Sequence, residues 1–217
     1  MLIDQPITRA ATLHTFVYGG TAAAIALGLG LSIAYIVHRR LVPFGGTLSY
    51  IAMAPFVIPG IVLAIGFYAA YTTRPLVLYG TAWILILAFT TRFLPIAYAN
   101  SDAAIRSVNP ELEDAVRILG GGRLLAMRRV VGPLLKRGLA GAFILVFIPA
   151  TRELSSAIFL YTTGTQVLSV LLFDKSDEGN FEILSSIGLI LVVITVALVL
   201  AGFRLVGRDF MLKRTAS

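Results

Sequence analysis

Residues 109–138 read NPELEDAVRILGGGRLLAMRRVVGPLLKRG, a charged stretch set between two strongly apolar regions, and its role decides the fold. Asn109-Pro110 is a helix start, because Asn caps and Pro suits a first helical position whose N–H would be unpaired anyway. Glu111, Glu113 and Asp114 follow near that start, where carboxylates complement the positive end of the helix dipole. Ala115, Ile118 and Leu119 offer an apolar face at helical spacing. Gly120-Gly121-Gly122 ends the helix and allows a sharp turn. A second amphipathic stretch, Arg123 to Val131, then runs to Gly132-Pro133. The spacing predicts a short helix, a tight turn and another helix lying across a membrane face. On periodicity alone, an interfacial amphipathic hairpin with no partner also fits these residues.

The chain around this stretch supplies the membrane. Of its 217 residues 58% are hydrophobic and only 13% charged, where a soluble domain carries about a quarter charged. Mean hydropathy is +0.89. The apolar residues cluster into runs of about 20, enough to cross a hydrocarbon core ~30 Å thick. Five spans are predicted: Thr15–Val37, Leu48–Tyr71, Leu76–Ala99, Leu139–Tyr161 and Ile183–Phe203. Their glycines and prolines are costly in water but common in membrane helices, where neighbours satisfy the freed backbone groups. Stretches such as GGTAAAIALGLG let helices pack closely through small residues. The expected fold is all-α: a polytopic membrane protein with a short helix on its cytoplasmic face.

Charge orients the spans. Arg39 and Arg40 follow the first span. Arg106, Arg117, Arg123, Arg128, Arg129, Lys136 and Arg137 follow the third. Arg204, Arg208, Lys213 and Arg214 follow the fifth, so thirteen of the 18 basic residues share one side. The other side holds Arg9, Arg74 and Lys175. By the positive-inside rule the richer side is cytoplasmic, which also explains a net charge of +7 and a pI near 10.1 without nucleic acid. The expected organisation is an external segment 1–14, a transmembrane domain 15–206 with a cytoplasmic loop 100–137 and an external loop 162–182, and a cytoplasmic tail 207–217. The external amino terminus has no preceding span to place it. Either a short tail with cancelling Asp4 and Arg9 crosses by itself, or the chain is a fragment; the reading leans to a fragment. The first apolar run is too long and begins too late for a cleavable signal peptide. Without cysteine there is no disulfide framework, thiolate metal site or cysteine nucleophile.

The central stretch resembles the cytoplasmic EAA signature of ABC importer permeases: Glu-Ala-Ala, three residues, Gly, nine residues, Ile, one residue, Leu-Pro. Asp114, Ala115 and Val116 stand at the Glu-Ala-Ala positions, Gly120 at the glycine, Val130 at the Ile and Pro133 at the proline. Gly132 in place of Leu is the departure. The resemblance implies a coupling helix that docks on a cytoplasmic ABC ATPase subunit, with Glu113, Asp114, Ala115, Gly120 and Pro133 as coupling residues. It implies that ATP and Mg are bound by that partner and that this chain holds no cofactor. Gly120 would allow close backbone approach, and the two acids would pair with basic groups of the ATPase, setting register. The chain itself carries no G-x-x-x-x-G-K-[ST] phosphate loop.

The segments APFVIPGIVLAIG, RFLPIAYAN, RELSSAIFL and DEGNFEILSSIGLIL are similar to the ferric-iron importer permeases. Those are related to permeases for thiamine, polyamines, phosphonates and sulfate. The resemblance implies the carboxy-terminal half of a permease that often fuses two halves, in a bacterial inner membrane. Its implied partners are a second permease half, a periplasmic solute-binding protein and membrane lipid.

Arg92, Arg152 and Glu153 lie at or near membrane depth, where an unpaired charge costs at least ~2.5–3.5 kcal/mol. They fit a translocation path with a net positive site, and equally a structural salt bridge or snorkelling of Arg92. Pro55, Pro59 and Gly60 bend or break the second span, as path lining or as a packing kink. In the acidic external loop, QVLSVLLFD reads as a short amphipathic helix on the outer surface. His14 and His38 sit at opposite ends of the first span and cannot share a metal. The tyrosines gather at span ends as an interfacial belt. An intramembrane enzyme finds thin support in Glu153 alone, and a channel or scaffold needing no ATPase is the remaining alternative.

Overall fold

The computed structural model describes residues 6–206, so the expected tail 207–217 lies outside the described residues. Those residues form helices α1 (Pro6–His38), α2 (Gly45–Met53), α3 (Gly60–Tyr71), α4 (Ala82–Arg106), α5 (Glu111–Ile118), α6 (Arg123–Ala126), α7 (Gly132–Ala150), α8 (Ala157–Leu160), α9 (Leu168–Asp177) and α10 (Phe181–Val206), with no strand among them. Four helical stretches are long and apolar enough to cross a membrane: α1, α4, the continuous Arg123–Ala150 and Phe181–Gly202.

The fifth crossing is broken. α2 ends in a 3₁₀ turn, Ala54–Phe56, and α3 leaves it at 105°. The pair nevertheless crosses, because α1 and α4 run parallel. Gly30 of α1 lies against the backbone of Ala97 and Tyr98 of α4, and further along in the same direction His38 meets Asp102. Two consecutive parallel helices require the chain between them to return. That return is visible: Ser49 bonds Tyr98 near one end of α4, Ile58 bonds Arg92 midway, and Tyr71 O accepts from Leu78 and Tyr79 N just ahead of Ala82.

The α1–α4 seam is the tightest in the bundle. Ala22, Ala26, Gly30 and Ala34 recur every fourth residue on one face of α1, all buried, the small-residue spacing that lets membrane helices approach. A Cβ on Gly30 would lie 2.8 Å from Tyr98 N and 2.9 Å from Ala97 C. Neither backbone atom can yield.

Several boundaries move from the sequence expectation. α1 already begins at Pro6, so residues 6–14 are helix. α4 starts at Ala82 and runs past Ala99 to Arg106, so the non-helical parts of the expected 100–137 loop are residues 107–110 and 119–122. Gly132-Pro133 does not terminate a surface helix. The helix passes through it as a π-turn, Met127–Val131, in which Gly132 N bonds Met127 O. A Cβ at Gly132 would sit 2.8 Å from that same oxygen, so the turn explains the glycine that departs from the signature. The widened turn also accommodates a proline that would clash with a regular α-helix. The fourth crossing therefore ends at Ala150 rather than Tyr161. α9 is wedged between α1 and α10 with Leu168, Val170 and Leu171 buried, rather than lying on the surface.

Candidate functional site

Three places carry the chemistry. The first is α5, at the end of the bundle where α1, α4 and their arginines finish. Asn109 Oδ1 accepts from Glu111 N at 3.0 Å, capping the helix as its residue type suggests. At the other end Gly120 N bonds Arg117 O and Gly121 N bonds Val116 O, the paired closure of a Schellman motif. Gly120 has φ +80°, a left-handed conformation that costs a side-chain-bearing residue about 1–2 kcal/mol. Its own Cβ would meet nothing in the chain. Within the chain, the sterically required glycine is Gly121, where a Cβ would lie 2.6 Å from Val116 Cγ1. Repeated glycine was the available signal, but which one is steric and which conformational needed coordinates.

α5 turns Glu113 inward and its apolar end outward. Glu113 is 7% exposed, whereas Ile118 is 86%, Leu119 87% and Leu124 82% exposed. The reason is ionic. Arg39 Nε donates to Glu113 Oε1 at 2.7 Å and Tyr35 Oη donates to Oε2 at 2.8 Å. Arg39 Nη2 approaches Oε1 at 2.6 Å but makes no hydrogen bond, so Nε carries the bond and Nη2 adds charge. Glu113 is thus held by Arg39 and Tyr35 within the chain, where the resemblance implies pairing with basic groups of a partner. Asp114 stays exposed beside Arg117 at 3.3 Å, and Ala115 is exposed too. Pro133 sits in the first turn of α7, beyond the π-turn. Arg39 and Tyr35 were missed by the sequence reading; they lie more than 70 residues from their partner, and no spacing rule reaches that far.

The second place is the broken span. Arg92 Nη1 donates at 2.8 Å to Ile58 O, a carbonyl freed at the break between Pro55 and Pro59. Arg92 lies about 15 Å along α4 from its first residue, at ~1.5 Å per residue, so this bond forms midway along the helix. Glu153 reaches the break from the turn after α7. A Cβ on Gly60 would be 2.8 Å from Ser155 Cβ and 3.5 Å from Glu153 Oε1, so the missing side chain lets that turn close on α3. Glu153 Oε1 accepts from Ser156 N at 2.9 Å and Ser156 Oγ at 3.1 Å. Arg152 is exposed. Arg92, Arg152 and Glu153 form no ion pair with one another; the arginine takes a backbone carbonyl and the carboxylate takes its own next turn.

The third place is the cap at the opposite end. His14 Nδ1 lies 3.0 Å from Gln166 O, Thr15 Oγ1 accepts from Leu168 N at 2.8 Å, and Gln166 donates to Asp174. Burial pushes the Asp174 carboxyl above its ordinary value of 3.8, against the lowering effect of the Gln166 hydrogen bond. His38, at the other end of α1, pairs with Asp102 at 2.7 Å. Among the described residues no three His, Asp or Glu side chains cluster to hold a metal ion.

Known proteins agree with this architecture. The family described as "Binding-protein-dependent transport system inner membrane component" matches residues 24–208. The ferric transport system permease protein FbpB of Actinobacillus pleuropneumoniae is 30% identical over 203 residues, covering 92% of this chain and 30% of that protein. This chain thus spans under a third of that relative's length. The putative 2-aminoethylphosphonate transport system permease protein PhnV of Salmonella paratyphi A is 26% identical over 190 residues, covering 88% of this chain and 72% of that one. Among solved structures, the inward-facing MetNI methionine ABC transporter matches with a TM-score of 0.73 at 20% identity, each chain 92% covered. A bacterial ABC transporter for import of alginate matches with a TM-score of 0.77 at 16% identity, covering 97% of this chain and 82% of that one. The solved structures share this helical fold, and the family match spans residues 24–208: the chain belongs to the binding-protein-dependent transport system inner membrane components.

Proposed function

We propose that the chain is one permease half of an ATP-driven importer of ferric iron, with α5 docked on a cytoplasmic ABC ATPase subunit. The observation that carries this reading lies at the end of α5 and in the turn after it: Glu113 is turned in, while Ile118, Leu119 and Leu124 are exposed. An apolar patch on a water-facing end marks a partner site. With the arginine-rich end in the cytoplasm, the carboxyl terminus is cytoplasmic and the α9 cap faces the periplasm, where a solute-binding protein delivers its cargo. ATP and Mg belong to the ATPase, and a second permease half completes the path beside the broken span. Support for iron as the cargo comes from the ferric permease similarity across 92% of the chain. A second reading, a phosphonate permease, is favoured by the more complete length match to the 2-aminoethylphosphonate relative.

Co-purification with the ATPase, followed by uptake into proteoliposomes from a loaded binding protein, tests both points. Wild type should retain the ATPase and import ferric iron only with ATP. Ile118→Asp combined with Leu119→Asp, and separately Gly120→Arg, should lose the ATPase. Uptake without any ATPase makes the chain a channel and ends this account, while α5 bound only to lipid vesicles makes it an interfacial hairpin. Uptake of 2-aminoethylphosphonate in place of iron moves the cargo and leaves the mechanism standing.

A further inference from the structure

We infer that Arg39 and Tyr35, holding Glu113, are the tie through which a displacement of α5 reaches the transmembrane bundle, with α1 as the element that receives it. The inference rests on the proposed docking of α5 to an ATPase. Covalently, α5 joins its neighbours through Ser107–Pro110 on one side and three glycines on the other. The glycine turn gives α5 an apolar seat on α6 and the π-turn, with Gly121 close to Val116 and Leu125, whereas the link to α1 is polar. Among the described residues the Arg39–Glu113 pair is the ion pair that leaves α5 for another helix; Asp114–Arg117 stays within it. Both partners are largely buried, with side chains 14% and 9% exposed, and both carboxylate oxygens accept hydrogen bonds from the end of α1.

Arg40 marks the same place independently. It is the one non-glycine with positive φ among the described residues, +47°. There α1 ends in its own Schellman turn, Arg40 N to Val37 O and Leu41 N to Ile36 O. The left-handed position glycine usually fills carries arginine, a strained arrangement of the kind that concentrates at working parts of proteins. That turn holds Arg39 at the level of Glu113.

Beyond the tie, α1 packs on α2, α4, α7 and α9. Gly30 seats it on the α4 backbone with no slack, and Arg92 of α4 holds the broken span through Ile58. The far end of α1 bonds the α9 cap through His14 and Thr15. One helix of 33 residues, about 50 Å at ~1.5 Å per residue, therefore connects the docking face to both the break and the opposite cap. A buried ion pair is weak evidence for stability. Its value here is geometric, since it fixes α5 to α1 in one register.

The test uses the complete transporter, with both permease halves, ATPase and ferric-loaded binding protein, in proteoliposomes. Arg39→Ala should keep the ATPase bound, yet the iron imported per ATP hydrolysed should fall about tenfold, the scale of one lost charge-assisted hydrogen bond. Tyr35→Phe should lower it by a smaller factor, and it decides the matter if Arg39→Ala does not fold. The exchange Arg39→Glu with Glu113→Arg should recover at least half of the wild-type ratio. Spin labels at Leu41→Cys and Leu112→Cys, in a chain without native cysteine, should report a narrow distance distribution that broadens in Arg39→Ala. An unchanged ratio with an unchanged distribution overturns the tie. So does loss of the ATPase on Glu113→Gln alone, which would put that carboxylate at the partner's surface. A wild type that binds no ATPase overturns the docking reading first, and the tie's function with it.

Discussion

α4 and α10 are both long enough and apolar enough to cross a membrane, yet they hold opposite places in the fold. The most apolar window of α4 has mean hydropathy 1.6 and is 56% buried, whereas that of α10 reaches 2.9 and is 6% buried. In water the greasier helix would be the core. In a bilayer lipid solvates apolar side chains as well as protein does, so packing belongs to the helix with small and polar residues. α4 brings Thr90, Ala97 and Ser101 to its neighbours, all buried. α10 presents Leu189, Val192, Val193 and Leu200 outward, each at least 58% exposed.

The largest test of that contrast is side-chain truncation. Phe89→Ala, at a fully buried α4 site, should cost about 3–5 kcal/mol through its cavity, while Leu189→Ala on α10 should fall within about 0.5 kcal/mol. Thermal unfolding in nanodiscs compares them directly, and equal losses would break the contrast. Glycines sharpen it next. Gly30→Ala must push a methyl into the α4 backbone and should cost about 1–3 kcal/mol or more; Gly188→Ala on α10, with nothing within 4 Å, should be neutral or mildly stabilising.

Arg92 tests the polar side of the same difference. Arg92→Met leaves the half-buried Ile58 O without its donor, a loss of about 1 kcal/mol, and Arg92→Lys should retain part of it. Protease accessibility of the α2–α3 break reads the same effect locally. The smallest effect is at the α9 cap, where α10 has its buried contact at Ile187. Because the folded Asp174 carboxyl titrates above its ordinary value, its contribution to stability is present below that value and is lost as pH rises through the raised one. Asp174→Asn should therefore flatten the acid limb of a stability–pH profile and be neutral or slightly stabilising at pH 7.

What was legible follows from the range of each signal. Caps, glycine turns and apolar runs act over a few residues, so the α5 start at Asn109, its end at Gly120 and the broken second span could all be read in order. The π-turn could not, because Gly132-Pro133 carries the same local signature as a helix stop, and only the packing of α7 distinguishes them. The inward Glu113 was hidden for a different reason. Periodicity assigns the apolar face of a helix to the interior, but here a distant Arg39 outbids Ile118 and Leu119. Arg92 was read as charge seeking charge, while its partner is a carbonyl 34 residues away that exists only because another span breaks.

The most direct measurement is site-specific cross-linking from Leu119→Cys, the most exposed apolar residue of the α5 turn, in the assembled transporter with and without ATP. A cross-link to the ATPase subunit whose yield changes with nucleotide is the predicted result. Cross-linking only to lipid or to periplasmic protein, or a yield indifferent to ATP, would contradict the account.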